Sequence, residues 1–139
     1  MLPSEKQLLV NDLNNQFRHH GATHVIDAVL KHSVLGLVAM VSSFGAESAA
    51  LLHLIAITRP DTPVLFIDTN MLFVETLIYQ SDLAEQLGLK NLRILRADPA
   101  TIAEHDPDNT LHKDTPDTCY HLRKTSVLKN ALVPYDGWI

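Results

Sequence analysis

A continuous apolar run, Val34-Leu35-Gly36-Leu37-Val38-Ala39-Met40-Val41, constrains the fold of this chain more than any other stretch. Rich in branched residues and free of polar alternation, it has the pattern of a strand buried on both faces, the signature of a parallel sheet. A parallel strand needs a crossover to reach its next partner. The following residues supply one: Ser42 to Glu47 is a small-residue turn, and Ser48 to Thr58 is apolar and helical, ending near Arg59-Pro60. Val64-Leu65-Phe66-Ile67 then reads as a second buried strand, closed by Asp68. Met71 to Gly88 reads as an amphipathic helix with Leu72, Leu77, Ile78, Leu83 and Leu87 among its apolar positions and Gly88 as its C-cap. Leu92 to Ala97 alternates and suits a third strand nearer an edge. Asp98 to Asp117, polar and punctuated by Pro99, Pro107 and Pro116, is expected to be a long loop, a kind of segment that is often functional. Thr118 to Leu132 reads as helix, and Tyr135 to Ile139 as the beginning of a fourth strand. Ahead of the apolar run, Ser4 can cap a helix carrying Leu8, Leu9, Leu13 and Phe17. Gly21 breaks it, and a second helix is expected over His24 to His32, with Val25, Ile26, Val29 and Leu30 on one side. The expected class is α/β: a doubly wound, mostly parallel sheet with helices on both faces and right-handed crossovers. An N-terminal helical segment over 1–33 is expected to precede an α/β domain over 34–139.

At 139 residues the chain has the length of one domain. Its 46% hydrophobic and 19% charged residues argue against disorder. A formal charge of −5 argues against a nucleic-acid binder, which needs phosphate-neutralising basic patches. It leaves room for a small anion held by local backbone donors. The single cysteine, Cys119, excludes an internal disulfide and any multi-cysteine metal site made by this chain alone. No targeting segment or apolar run of membrane-spanning length is read, so a cytoplasmic location and no membrane partner are expected.

Three groups of residues can carry chemistry. The first is Ser42-Ser43-Phe44-Gly45-Ala46-Glu47-Ser48, between the first strand and its helix. Ligands of open α/β sheets bind beyond the carboxyl ends of the strands, and a Gly/Ser turn there lets backbone N–H groups approach an anion near a helix N-terminus. With no lysine it is not a nucleotide P-loop, and with one glycine it is not a dinucleotide fingerprint. The alternative is a tight strand-to-helix turn with Ser48 as its cap. The second group is Phe66-Ile67-Asp68-Thr69-Asn70, facing the same crevice; Asp68 can accept hydrogen bonds from a nucleotide, or Asp68 or Asn70 can cap the next helix. The third is Cys119-Tyr120-His121-Leu122-Arg123-Lys124. Arg123 and Lys124 can reach an anionic ligand or form a solvated charged face, and a lone cysteine is more often an inert buried thiol than a nucleophile. The eight histidines, His19, His20 and His53 among them, show no convincing metal partners.

Taken together, these groups resemble the phosphoadenylyl-sulfate and adenylyl-sulfate reductase family. Val41 to Ser48 resembles its pyrophosphate loop. Val64 to Thr69, with Leu72-Phe73 and Glu75-Thr76, is similar to its next segment. Asp117 to Lys124, with Leu128 and Ala131-Leu132, resembles its cysteine-cysteine … arginine-lysine helix, and Trp138-Ile139 is similar to the strand before its arginine-rich loop. The resemblance implies an adenine-nucleotide α-hydrolase-like fold. It also implies an assimilatory reductase that converts a sulfonucleotide to sulfite plus an adenosine nucleotide, with thioredoxin or glutaredoxin as reductant and a terminal cysteine attacking sulfur. It assigns Ser42, Ser43, Phe44, Gly45, Glu47 and Ser48 to the phosphosulfate loop, Asp68 and Thr69 to the nucleotide, and Arg123 and Lys124 to its anionic groups. The oligomeric state is left open.

Tyr120 stands where the family's iron–sulfur members have a second cysteine. A four-cysteine set for a [4Fe-4S] cluster cannot come from this chain. Tyr120 with Lys124 four residues on resembles the cluster-free members that use the 3′-phosphorylated substrate, leaving Cys119 a remnant; in an iron–sulfur parent it would be a cluster ligand. Asn70 and Met71 replace the family's glycine and its basic or aromatic residue. The chain stops before the arginine-rich loop and the terminal cysteine. It is therefore expected to be the nucleotide-binding part of a reductase, unable to turn over alone. The alternatives are a short non-catalytic adenine-nucleotide-binding relative, and an ATP pyrophosphatase-type enzyme, whose more glycine-rich loop Phe44 and Glu47 speak against.

Overall fold

The computed structural model describes residues 2–139. Four parallel strands form one sheet: β1 (Val38–Val41), β2 (Val64–Ile67), β3 (Leu92–Leu95) and β4 (Gly137–Trp138), in the order β3-β2-β1-β4. The chain winds outward from β1 through β2 to β3, then returns to lay β4 on the other side of β1, pairing Val38 with Gly137 and Ala39 with Trp138. This reversal makes the fold doubly wound, with helices on both faces of the sheet.

Helices α1 (Pro3–Gln16) and α2 (Ala22–Leu30) precede β1. α1 buries no residue, whereas α2 places Ile26, Val29 and Leu30 in the core. Its neighbour α3 (Ser48–Thr58) buries Leu52, Ile55 and Ala56 and lies between α2 and α4 (Val74–Leu87). Residues of β1 and β2 complete that core: Val38, Met40, Val64 and Phe66 are all buried. α4 ends at Gly88, whose φ of 75° only glycine adopts without strain, and the amide of Leu89 closes the cap on the Ala84 carbonyl at 3.1 Å.

Three expectations are corrected. The strand read over Val34–Val41 is limited to its second half. Ser33 and Gly36 take positive φ values of 50° and 79°, and the Gly36 amide donates to the Ser33 carbonyl, so the first half is a turn. The helix read from Met71 starts only at Val74, because Asp68 Oδ1 accepts from the Asn70 amide and Asn70 turns through φ 61° first. The segment 98–117 is not a loop. It contains α5 (Pro99–His105), α6 (Leu111–Asp114) and the start of α7 (Pro116–Tyr120). Asp98 Oδ1 caps α5 by accepting from the Ala100 amide at 3.2 Å, and Pro99 and Pro116 sit at the first helical position, where a missing N–H costs nothing. α7 runs on through a π-helical turn, His121–Thr125, into α8 (Ser126–Leu132), which packs on β3.

Candidate functional site

The carboxyl ends of β1 and β2 open into a cleft of about 260 Å³ lined by Val41, Ser42, Ser43, Phe66, Ile67, Thr69, Leu72, Thr76, Lys124 and Leu128. Its floor is apolar and its polar groups come from the loop after β1, the loop after β2 and the π-helical turn. Of the residues singled out in the sequence, Ser42, Ser43, Thr69 and Lys124 meet here.

The loop after β1 is built for exposed donors. Ser42 is buried; its amide donates to the Leu65 carbonyl at 3.0 Å, and its Oγ accepts from the Phe44 amide at 3.0 Å. That bond holds Phe44 at φ 59°, a left-handed conformation rare outside glycine, asparagine and aspartate. The Phe44 ring is only 2% exposed and meets Phe66 edge-on at 5.6 Å, so core packing offsets the strain. Phe44 is thus an anchor beneath the loop rather than a lining residue. Gly45 accepts from the Ser48 amide at 2.9 Å and Ala46 from the Ala49 amide at 3.3 Å, which starts α3. Ser48 is the first residue of α3, and Glu47, exposed, takes the cap position with no side-chain bond, so capping by Ser48 does not form. Among the described residues, the backbone N–H groups of Ser43, Gly45, Ala46 and Glu47 donate to no protein acceptor. Four unused donors on one turn, at the N-terminus of an 11-residue helix, make an anion cradle.

Asp68 caps no helix. It is buried at the end of β2; its Oδ1 accepts from the Asn70 amide at 2.8 Å and its Oδ2 pairs with Arg96, accepting from Nε at 3.0 Å with Nη2 also at 3.0 Å. Arg96, just beyond β3, escaped the sequence reading, although its place after a strand that parallels β2 is the signal that could have found it. Arg123 does not line the cleft either. It turns inward to Asp106, Asn109 and the Thr69 carbonyl, and its buried Nε has no partner among the described residues. The guanidinium beside Asp106, reinforced by the amides of Leu111 and Thr110, holds that carboxyl below the ordinary aspartate range against the opposing effect of burial. Asp106 and Asn109 were also missed. Lys124 lines the cleft wall, with Nζ 5.3 Å from the Tyr120 ring centroid.

Cys119 is buried, 6% exposed, and Tyr120 beside it turns its ring outward, 58% exposed. Among the described residues no three His, Cys, Asp or Glu side chains gather as metal ligands. One buried thiol followed by a tyrosine does not fit a four-iron cluster, which takes four thiolates.

A family model for the phosphoadenosine phosphosulfate reductase domain matches residues 37–139. The chain belongs to this family. Among curated relatives, a protein of Chelativorans sp. (strain BNC1) named adenosine 5′-phosphosulfate reductase is 37% identical over 137 residues, covering 98% of this chain and 56% of that protein. One of Yersinia pseudotuberculosis serotype O:1b (strain IP 31758) named phosphoadenosine 5′-phosphosulfate reductase is 40% identical over 97 residues, covering 69% of this chain and 39% of that protein. The chain spans about half the length of the curated relatives it matches. The crystal structure of a phosphoadenylyl-sulfate reductase from Candida auris, in a phosphate complex, superposes with a TM-score of 0.65 at 20% identity, covering 87% of this chain and 60% of that one. This likeness supports the α/β fold of the phosphoadenosine phosphosulfate reductase family member described here. Among the described residues no helix is long and apolar enough to cross a membrane.

Proposed function

We propose that this chain is the nucleotide-binding part of an assimilatory sulfonucleotide reductase, and that its serine loop holds the phosphosulfate end of an adenosine nucleotide. The observation that carries this reading is the set of four unused N–H donors at Ser43, Gly45, Ala46 and Glu47, with Lys124 lining the cleft into which the loop opens at Ser43. Backbone donors fixed before binding need no reorganisation, and a cation nearby adds charge without filling the cradle. The hydroxyls of Ser43 and Ser48 add donors, and Thr69 borders the sugar side of the cleft. The volume of about 260 Å³ lies just below the usual ~300–1,000 Å³ of small-molecule pockets, which suits the polar end of a nucleotide rather than all of it.

In the reaction proposed for the whole protein, a thiolate attacks the sulfur of the sulfonucleotide. The sulfur–oxygen bond breaks and the nucleotide phosphate leaves with the electron pair. Two electrons from a thioredoxin or glutaredoxin dithiol then free sulfite from the enzyme-bound thiosulfonate. The cradle stabilises the leaving phosphate as its charge grows. Cys119, buried and without an activating base among its described hydrogen bonds, is not assigned that role, so this chain alone is expected to release no sulfite. Thioredoxin-dependent sulfite release abolished by Cys119→Ser would contradict this.

Titration calorimetry with adenosine 3′,5′-bisphosphate and adenosine monophosphate tests the binding reading. Ser43 is exposed and its hydroxyl has no partner among the described residues, so Ser43→Ala removes a donor without disturbing the loop. A hydrogen bond to a charged group contributes about 1.5–3 kcal/mol, so affinity should fall by about tenfold or more. Absence of binding by either nucleotide, or unchanged affinity in Ser43→Ala, overturns the assignment.

A further inference from the structure

Arg123 is the one buried cation among the described residues, 3% exposed. Its Nη2 donates to Asp106 Oδ2 at 2.8 Å and to Asn109 Oδ1 at 2.9 Å, and its Nη1 to the Thr69 carbonyl at 3.1 Å. Asp106 is 4% exposed, and its other oxygen accepts from the amides of Thr110 at 2.9 Å and Leu111 at 3.1 Å. A single carboxylate therefore ties the start of α6 to the helix carrying Arg123 and, through the guanidinium, to the loop after β2. The brace borders the serine cleft at two points. Thr69 lines it, and so does Lys124, the residue after Arg123.

Consecutive residues of a helix point a set angle apart, about 100° in an α-helix and less in a wider π-helical turn, so fixing one side chain fixes the sector its neighbour can sweep. Arg123 and Lys124 both lie in the π-helical turn, where one extra residue is accommodated and the facing of everything beyond it is reset. The alternative to such a turn is the ordinary α-helical register. A buried charge pair selects one, because a misregistered turn would leave Arg123 or Asp106 buried without its partner. We propose that Asp106 is a positioning residue: by holding Arg123 it sets the π-helical turn so that Lys124 faces the serine loop across the cleft. The inference rests on the nucleotide reading of that cleft and adds the device that aims its cation.

The aim of Lys124 can be read without ligand. It lines the cleft with Thr69 and Leu72, so nuclear Overhauser contacts between its side-chain methylenes and the methyls of Thr69 and Leu72 report its facing, with Lys124→Ala giving the assignment. Asp106→Asn should abolish those contacts. Asn109→Gly removes one acceptor from Arg123 while suiting the φ of 58° at that position, and should weaken them even if Asp106→Asn fails to fold. Retention of the contacts in a folded Asp106→Asn, or in Asn109→Gly, overturns the proposal. For adenosine 3′,5′-bisphosphate, Asp106→Asn should weaken binding about tenfold in the wild-type background and less than about twofold in Lys124→Ala, since the two residues act in series. Equal weakening in both backgrounds marks a merely structural role and overturns it. Failure of the unmodified chain to bind sinks the nucleotide reading instead, and the nuclear Overhauser contacts then decide the aim of Lys124 by themselves.

Discussion

Ser42 and Ser43 are neighbours in sequence with different employment. The Ser42 hydroxyl is spent inside the protein on the amide of Phe44, whereas the Ser43 hydroxyl is free at the cleft. Ser42→Ala leaves a buried donor unpaired and should cost about 1–3 kcal/mol of stability. Ser43→Ala should stay within about 0.5 kcal/mol of the unmodified chain. Urea denaturation midpoints separate the two, and equal midpoints would contradict the loop geometry described. Asp106 carries a pH dependence of its own. Its carboxyl is held below the ordinary value by the hydrogen bond from Arg123, so it binds protons less readily folded than unfolded. The stability it contributes is fully present above the unfolded aspartate value of about 3.9 and is lost as pH falls through the lower folded value. Acid unfolding followed by circular dichroism should show that loss, and Asp106→Asn should show a smaller one over the same range.

Among the elements, β4 depends on a single turn. Asp136 Oδ2 accepts from the Leu37 amide at 2.8 Å and the Asp136 amide donates to the Leu37 carbonyl at 2.7 Å. Gly36, at φ 79°, lies so close that a Cβ would collide with the Asp136 carboxylate. Gly36→Ala should therefore cost at least about 1–3 kcal/mol. It should also speed hydrogen exchange at Ile139 and Val41, whose amides join β4 and β1, before that of Asp68, whose amide joins β2 and β3. Faster exchange at Asp68 first would contradict it. The same turn explains why the sequence misleads at Val34–Leu37. Apolar residues announce burial, but strand length is decided by partners, and only Val38–Val41 has them. The bounds of α3 and β2 were legible because apolar runs and their breakers coincide with the elements. The helices between 98 and 117 were not, because Pro99 and Pro116 begin helices there instead of interrupting them. At the site, the places of Ser42, Ser43 and Thr69 beyond strand ends follow from the α/β pattern. The brace of Asp106, Asn109 and Arg123 does not, since it is formed by side chains 14 and 17 residues apart around a left-handed turn at Asn109.

On the scale of the molecule, a net charge of −5 coexists with a cleft whose polar groups are donors and a cation. Anion binding is then a local property of one sheet edge, and added salt should weaken it by screening Lys124 while leaving the backbone donors in place. The amino-terminal ends of β1 and β2 border a larger cavity of about 380 Å³ that Arg59, Asp61 and Asp136 line with both signs of charge. Size alone favours it over the serine cleft. The direction of the strands and the unused N–H groups favour the serine cleft. Amide chemical-shift mapping on addition of adenosine 3′,5′-bisphosphate decides between them. Shifts should concentrate at Ser43, Gly45, Ala46, Glu47, Thr69 and Lys124. Shifts concentrated at Arg59, Asp61, Thr62 and Tyr135, with the serine loop unmoved, would contradict it.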